Sequence, residues 1–472
     1  MFTKYRALLP ENPGRAVARV ALPVSLEFVL ILSLQFINQV VVAGLGDTAV
    51  AAVGFANSIN LIPLFVVGAL GISSSILVAR AYGAKREKEL NKIVSVALFV
   101  GSAVAVVVSL PVVIFPAEVL RASGASADVI AAGAPYLAVL FSGLIAGILS
   151  FIFSGILRSA NHARSPMVAT LVTVVVNTPL AIILVYGWGP IPALGIVGAA
   201  WATLATTVIK VVILCVQTFG IFHIARWELP RRWREWRKLL AAHLTLAAPM
   251  GLTELFWTAG VFLYNVVTEQ IGDDALASIQ IVQTMAAIFV VGSLGLASAI
   301  TALVGRSVGA GNAAEAQAWG GYIKRVGIIT GIIFAILFAA SALALSFLYP
   351  HLAPVVISSA ALGIWINALL QPFIVRMLLD AALLPSANDV RGILMGDFIG
   401  PFILGLPIAI MLAMFTPLGV VSVFIGRACD DLAKMVVFGW RARRLKWGAV
   451  VAKHNMVNAF ADDPTVVLMQ AQ

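Results

Sequence analysis

The chain has 472 residues, of which 61% are apolar and only 11% charged, with a mean hydropathy of +1.02 and a formal charge of +10. That balance excludes a water-soluble globule and a disordered chain, and it identifies an integral membrane protein. Apolar runs of about 20 residues recur along the whole length, enough at 1.5 Å per residue to cross a hydrocarbon core of about 30 Å. Ten-residue segments of alternating polarity, the mark of a membrane barrel, are absent from the sequence.

In chain order the pattern predicts twelve helical spans, at 17–44, 49–79, 92–115, 131–157, 166–187, 195–221, 243–270, 275–304, 318–348, 355–384, 393–415 and 417–440. No removable signal peptide is expected, because the first twenty residues lack an apolar core followed by a cleavage site. The N-terminus (Lys4, Arg6, Arg15, Arg19), the second connection (Arg80, Lys85, Arg86, Lys88, Lys92) and the fourth (Arg158, Arg164) are basic, as are the sixth, eighth and tenth. The alternate connections, such as GDDA at Gly272 and LYPHLAP around His351, carry Asp or nothing, with Arg121 their one cation. Basic loops remain on the cytoplasmic side, so both termini are expected in the cytoplasm and the protein in the plasma (inner) membrane. The positive charge thus reflects orientation, and no nucleic-acid partner is expected. Cys215 and Cys429 fall far apart inside apolar runs and read as small buried hydrophobes, with no disulfide or metal site expected.

A repeat organises the whole chain. Sliding it by 226 positions sets Pro23 on Pro249, Gly46 on Gly272, Arg80 on Arg306 and Gly83 on Gly309. Later, LRSANHAR at Leu157 is answered by LPSANDVR at Leu384, and GIVGAAWATLATTVIK at Gly195 by GVVSVFIGRACDDLAK at Gly419. Two six-span copies in the same orientation imply two lobes about a pseudo-twofold axis along the membrane normal, with a cavity between them. The expected division is an N-lobe (1–221), a linker (222–242), a C-lobe (243–440) and a cytoplasmic tail (441–472). In the linker, six cations (Arg226, Arg231, Arg232, Arg234, Arg237, Lys238) alternate with Trp227, Trp233 and Trp236, the pattern of a helix lying on an anionic membrane face. A regulatory surface is the other reading. The tail reads as a basic anchor, RARRLKW, followed by a poorly ordered end.

Ionisable residues inside spans cost about 2.5–3.5 kcal/mol at a helix centre, so each must be paired, hydrated or useful. Glu27 and Glu254 lie near the midplane of spans one and seven, and each is followed eleven residues later by an amide, Asn38 and Asn265. Eleven residues is close to three turns, so each Glu shares a face with its Asn at a separation of roughly 16 Å. Such a stripe suits a cavity wall; alternatively each Glu pairs within its own lobe, with Lys210 the candidate partner of Glu27 and Arg376 that of Glu254. Arg376 and Asp380, four apart, can form an intrahelical pair, or Asp380 can serve coupling. Lys210 and Lys434 occupy matching positions in spans six and twelve, and Arg427, Asp430 and Asp431 form a further small cluster that can neutralise itself. Asn177 with Pro179 can unwind span five locally and free a carbonyl, or simply kink it. The coupling candidates are therefore Glu27, Glu254 and Asp380, and the substrate or cavity-lining candidates are Asn38, Gln39, Asn177, Asn265 and Arg376. Phe36, Phe55, Phe65, Phe256, Trp257 and Phe262, with Met250 and Met285, can supply an adaptable apolar wall for an organic cation, or pack and face lipid.

The order of these motifs resembles the multidrug and toxic compound extrusion (MATE) transporters of the multidrug/oligosaccharidyl-lipid/polysaccharide flippase superfamily. The likeness rests on a Leu-Pro opening span one, a Gly-Leu-Gly-Asp turn, VVGALG and R-x-x-G-A in span two, LRSANHARSP, VVVNTPL in span five and GIVGAAWAT in span six. It implies an all-α membrane fold and secondary active efflux (antiport) of small organic, cationic or amphipathic compounds, driven by a proton or sodium gradient through alternating access. No cofactor and no ATP are expected, the partners are a small-molecule substrate and membrane lipid, and a monomer is anticipated. Departures from the family pattern are specific. The span-one Asp eight residues before the turn Gly is Asn38 here; the Asp of one branch, four residues after the span-five Asn, is Ala181; and at the span-ten acidic position stands Ile374. An amide does not bind and release a proton near neutral pH, so coupling would pass to Glu27 and Glu254, whose burial favours proton uptake. A lipid-linked-substrate flippase and a non-transporting scaffold are the alternatives. Enzyme activity is not expected, since neither a Ser/His/Asp set nor a phosphate-cradling GxxxxGK[ST] motif is present.

Overall fold

The computed structural model describes residues 8–350 and 352–452, without the side chains of residues 61, 62 and 64–67. Lys4, Arg6, the Phe65 side chain, His351 and the tail beyond Ala452, all used in the sequence reading, lie outside the described residues. Among the described residues the long elements are helical, as a hydrocarbon environment demands of any segment that must satisfy its own backbone hydrogen bonds. In chain order they are α1 (Pro13–Ala43), α2 (Asp47–Gly83), α3 (Glu87–Ile114), α4 (Ala127–Ser159), α5 (Arg164–Tyr186), α6 (Ile196–Ile221), α7 (Trp233–Ile271), α8 (Asp273–Gly309), α9 (Ala313–Leu348), α10 (Pro354–Ser386), α11 (Val390–Phe415) and α12 (Val421–Arg443). Each falls on one of the twelve anticipated spans, and the chief change of limit is at α7, which starts ten residues early, inside the basic linker. Ten of these helices are long and apolar enough to cross a membrane; α2 and α12 complete the series, and α12 falls short because it carries Arg427, Asp430, Asp431 and Lys434 in its middle.

Several interruptions have local causes. Gly143 breaks α4 between Ser142 and Leu144. α6 ends, and α11 passes its middle, in π-helical turns, Val216–Ile221 and Ile399–Gly405, the latter containing Pro401, whose missing N–H disfavours regular α-helix there. The repeated SAN motif is a helix stop. Asn161 and Asn388 take left-handed backbone conformations (φ 71° and 66°), and the following amides reach back to Leu157 O and Leu384 O, both at 2.8 Å. Asn tolerates this conformation better than most side-chain-bearing residues, which explains its place in both copies.

By packing, the chain forms two compact units that are discontinuous in sequence. One holds Pro23–Val78 and Arg86–Gly251; the other holds the described residues up to Leu22, Ala79–Lys85 and the described residues from Leu252 onward. Within this second unit the copies of the R-x-x-G motif cross each other. A Cβ on Gly83 would collide with the backbone of Arg306, and a Cβ on Gly309 with the backbone of Arg80. Only glycine permits so close an approach. Arg80 then donates to the C-terminal carbonyls of α10, Pro385 O at 3.3 Å, which also accepts from the Asn388 N–H, and Ser386 O at 2.9 Å, so its guanidinium joins the cap of this helix end. Leu343, Phe347, Met414 and Phe415 are largely exposed, as side chains meeting lipid rather than water can be.

Candidate functional site

Three buried ionic clusters stand inside the helices, and the first is built around Glu27. Its carboxylate is 1% exposed. It accepts from Arg158 Nη2 at 2.6 Å and Thr170 Oγ1 at 3.5 Å, with Lys210 Nζ at 3.6 Å. The Arg158 guanidinium also lies 5.6 Å from the Phe28 ring centroid. Lys210 is the partner anticipated for Glu27; Arg158, counted in the sequence as a loop cation, is the closer one. One carboxylate facing two cations leaves this cluster with an excess of positive charge. A carboxylate so held is occupied by its own repeat.

Above it on α1, the stripe continues. Asn38 donates from Nδ2 to Thr203 Oγ1 at 3.4 Å, while its Oδ1 has no hydrogen-bond partner. Thr203 and Lys210 are two turns apart on α6, so Asn38 and Glu27 face the same helix, as three turns of spacing required. Asn177, fully buried on α5, donates to Thr206 Oγ1 at 3.1 Å and likewise leaves its Oδ1 unpartnered. Beyond the Glu27 cluster, Asn38 and Asn177 thus offer neutral amide oxygens between α1, α5 and α6. Gln39 is exposed.

The second cluster lies in the other unit. Asp380, fully buried, bonds Arg376 Nε at 2.9 Å and forms an ion pair with Lys324 of α9. Asp380 and Arg376 therefore pair within α10, and Lys324 was not singled out from the sequence. Arg376, proposed as a partner of Glu254, serves Asp380 instead, because four residues on one helix bring the two together without further packing.

A third cluster gathers α7, α11 and α12. Lys434 Nζ is 3.1 Å from Asp430 and 3.8 Å from Asp397 of α11, and Asp397 is near enough to Glu254 of α7 for their charges to interact. Phe256, half a turn beyond Glu254, packs on Phe398 and Phe402 with ring centroids 5.5 and 5.8 Å apart, which holds α7 against α11 at this level. Gly400 permits the approach, since a Cβ there would meet Asp430 and Lys434. Asp431 also acts electrostatically on Lys434, and Arg427 lies over the Tyr264 ring at 5.5 Å. Glu254 has no ion pair among the described residues. Four carboxylates thus stand near two cations here, and among the described residues Lys434 alone pairs with any of them, with Asp430 and Asp397, the reverse of the balance around Glu27. Asp397 was missed in the sequence although it occupies the place of Thr170 in the repeat; comparing the two copies position by position would have found it.

Asn265 keeps an unpartnered Oδ1. Of the apolar candidates, Phe36 and Phe262 are exposed, whereas Met250 is buried and Met285 packs on the core of Tyr264, Phe338 and Phe424.

The MatE family model matches residues 23–183 and 249–415. A probable multidrug resistance protein, YoeA of Bacillus subtilis, is 26% identical over 436 residues, covering 90% of this chain and 93% of its own. A probable multidrug resistance protein NorM of Bradyrhizobium diazoefficiens is 28% identical over 460 residues, again 90% and 93%. In fold, a crystal structure of MATE in the bent conformation superposes with a TM-score of 0.85 at 20% identity, over 95% of this chain and 99% of that one. The outward-facing conformation of a multidrug resistance MATE family transporter gives 0.82 at 21% identity, over 92% and 97%.

Proposed function

The chain belongs to the MATE family of multidrug efflux transporters, and from that premise we propose that it is an antiporter exporting small organic cations against an inward flow of protons or sodium. Members of this family are transporters and not enzymes, and the fold is the all-α membrane fold of twelve helices in two lobes. The observation that carries the coupling proposal is the surplus of carboxylates around Lys434: Glu254, Asp397, Asp430 and Asp431 against Lys434 and Arg427. Carboxylates that repel one another in a low-dielectric site exchange a proton or a small cation readily, because occupancy relieves the repulsion. Glu254 and Asp397, on different helices, would bind the driving ion, and its release would reset the lobe. Glu27 and Asp380, each held by two cations, serve packing in this reading. Neutral amides at Asn38 and Asn177 can take a substrate donor on their free oxygens but do not carry charge.

The gradient is the sole energy source in this reading, with neither ATP nor cofactor. Basic connections support the cytoplasmic placement of both termini and residence in the inner membrane. The test uses the full chain in proteoliposomes, with a fluorescent organic cation as substrate and an imposed pH or sodium gradient. Glu254→Gln and Asp397→Asn are expected to abolish gradient-driven accumulation while leaving binding of the dye intact. Full gradient-driven transport by both variants would exclude the proposal.

A further inference from the structure

The segment that joins the repeats is a strap fastened on one side and open on the other. Its inner side is tied to the first turns of α3. The Arg226 N–H donates to Asn91 Oδ1 at 2.8 Å, the Glu228 N–H to Ser95 Oγ at 2.9 Å, and Asn91 Nδ2 to Glu228 at 3.5 Å. Lys92 pairs with Glu235 at 2.9 Å, and Trp236 meets Phe99 edge to face at 5.4 Å. Asn91, Lys92, Ser95 and Phe99 fall at intervals of one, four and eight residues, so they form a single face of α3. All of these groups lie in the same compact unit. Both carboxylates of the strap, Glu228 and Glu235, are used in this fastening.

What remains outward is therefore cationic. Arg226, Arg231, Arg232, Arg234 and Arg237 are exposed, and no side-chain ion pair engages them among the described residues. Between them stand Trp227, 57% exposed, and Trp233, 73% exposed. The acidic residue in the first turn of α7, Glu235, is engaged by Lys92, so Arg234 and Arg237 stand outward with no ion pair among the described residues. An external anion would offset their charge. Indole rings favour the depth of lipid headgroups, and guanidinium groups favour phosphate, with which they form paired hydrogen bonds.

We propose that this outer face binds anionic phospholipid headgroups of the adjacent leaflet, and that the bound lipid fixes the strap and, through Asn91, Lys92 and Ser95, the base of α3. Phosphate oxygens bridge Arg231, Arg232, Arg234 and Arg237, while Trp227 and Trp233 enter the headgroup layer. Each cation near such a surface contributes about fivefold to local enrichment of anionic lipid, the equivalent of about 1 kcal/mol. The interaction weakens with salt, because exposed charges are screened beyond about 10 Å at 0.1 M.

The experiment places the full chain in nanodiscs of phosphatidylcholine, with either that lipid or phosphatidylglycerol brominated near the headgroup. The readout is the quenching of the Trp233 indole, taken as the difference between the parent and Trp233→Phe. Quenching several-fold stronger with brominated phosphatidylglycerol, and lost when Arg231, Arg232, Arg234 and Arg237 are all changed to Gln, is expected. A salt titration of the unaltered protein supplies the same test without substitutions, and the preference should fall as salt rises. Equal quenching by the two lipids at low salt overturns the proposal. So does a quadruple variant quenched as the parent is, and so does capture of the strap by an acidic peptide that phosphatidylglycerol fails to displace.

Discussion

Changing Glu27 to Gln separates a structural carboxylate from a coupling one. The parent group carries a 2.6 Å charge-assisted bond from Arg158 and a 3.6 Å contact with Lys210, at 1% exposure. At an effective dielectric constant of 20 these distances correspond to gross attractions of about 6 and about 5 kcal/mol, most of which is offset by desolvation. Removing one partner of a buried pair costs about 3–5 kcal/mol, because the remaining charges lose their compensation. Gln keeps an acceptor for Arg158, so the low end, about 3 kcal/mol, is expected, or roughly a hundredfold in the unfolding equilibrium. Unfolding of a membrane protein on heating is commonly irreversible, so the practical assay is the rate at which the monodisperse, detergent-solubilised protein is lost at a fixed temperature. That rate should rise by up to about a hundredfold, while gradient-driven transport per folded molecule stays at the parental level. Adding Arg158→Gln should recover part of the loss, with a coupling energy of about 1–3 kcal/mol in the double-mutant cycle. The reasoning is refuted if Glu27→Gln decays at the parental rate yet no longer responds to the gradient.

Gly83→Ala and Gly309→Ala each drive a methyl group into the opposing backbone, and each should cost about 1–3 kcal/mol, read as faster heat inactivation; parental decay rates would show that the crossing can widen freely. Asn161→Ala and Asn388→Ala place a residue less tolerant of positive φ at the helix stops, so each should lose about 1 kcal/mol, whereas the Gly variants should match the parent or exceed it. His162, on the connection before α5, stacks on Phe222 with ring centroids 4.0 Å apart, and burial holds its imidazole below the ordinary value. A group kept neutral in the folded state loses its stabilising contribution as pH falls below its unfolded value of about 6.5, so heat inactivation should quicken below that pH, and His162→Gln should weaken this dependence.

The fold was legible because its physics is coarse. Twenty apolar residues in a row permit little besides a membrane helix, and a repeat that sets Arg80 on Arg306 can be read without any coordinates. The pairing of charges was legible only where spacing along one helix decides it, as for Arg376 with Asp380, or where matching copies point to the same depth, as for Lys210 with Glu27. In sequence Arg158 reads as a loop residue because it follows the last apolar residues of α4, yet its long side chain turns back to Glu27. Lys324 and Asp397 sit within two turns of span ends that sequence fixes only to a few residues, so neither stood out as buried. Their partners lie on other helices, and the rotation of one helix against the next is set by contacts such as Gly400 against Asp430, which no single-helix pattern contains.

The crossing of Gly83 with Gly309 also bears on how the protein is made. Ribosomes deliver the end of α2 early, but the carbonyls that Arg80 caps belong to Pro385 and Ser386, and the backbone that Gly83 touches belongs to Arg306. Until those residues have been translated and inserted, the nascent chain holds an uncapped guanidinium and a bare glycine surface with nothing to close on. The packing at the end of α2 is therefore complete only once the second repeat has been made and closes on it.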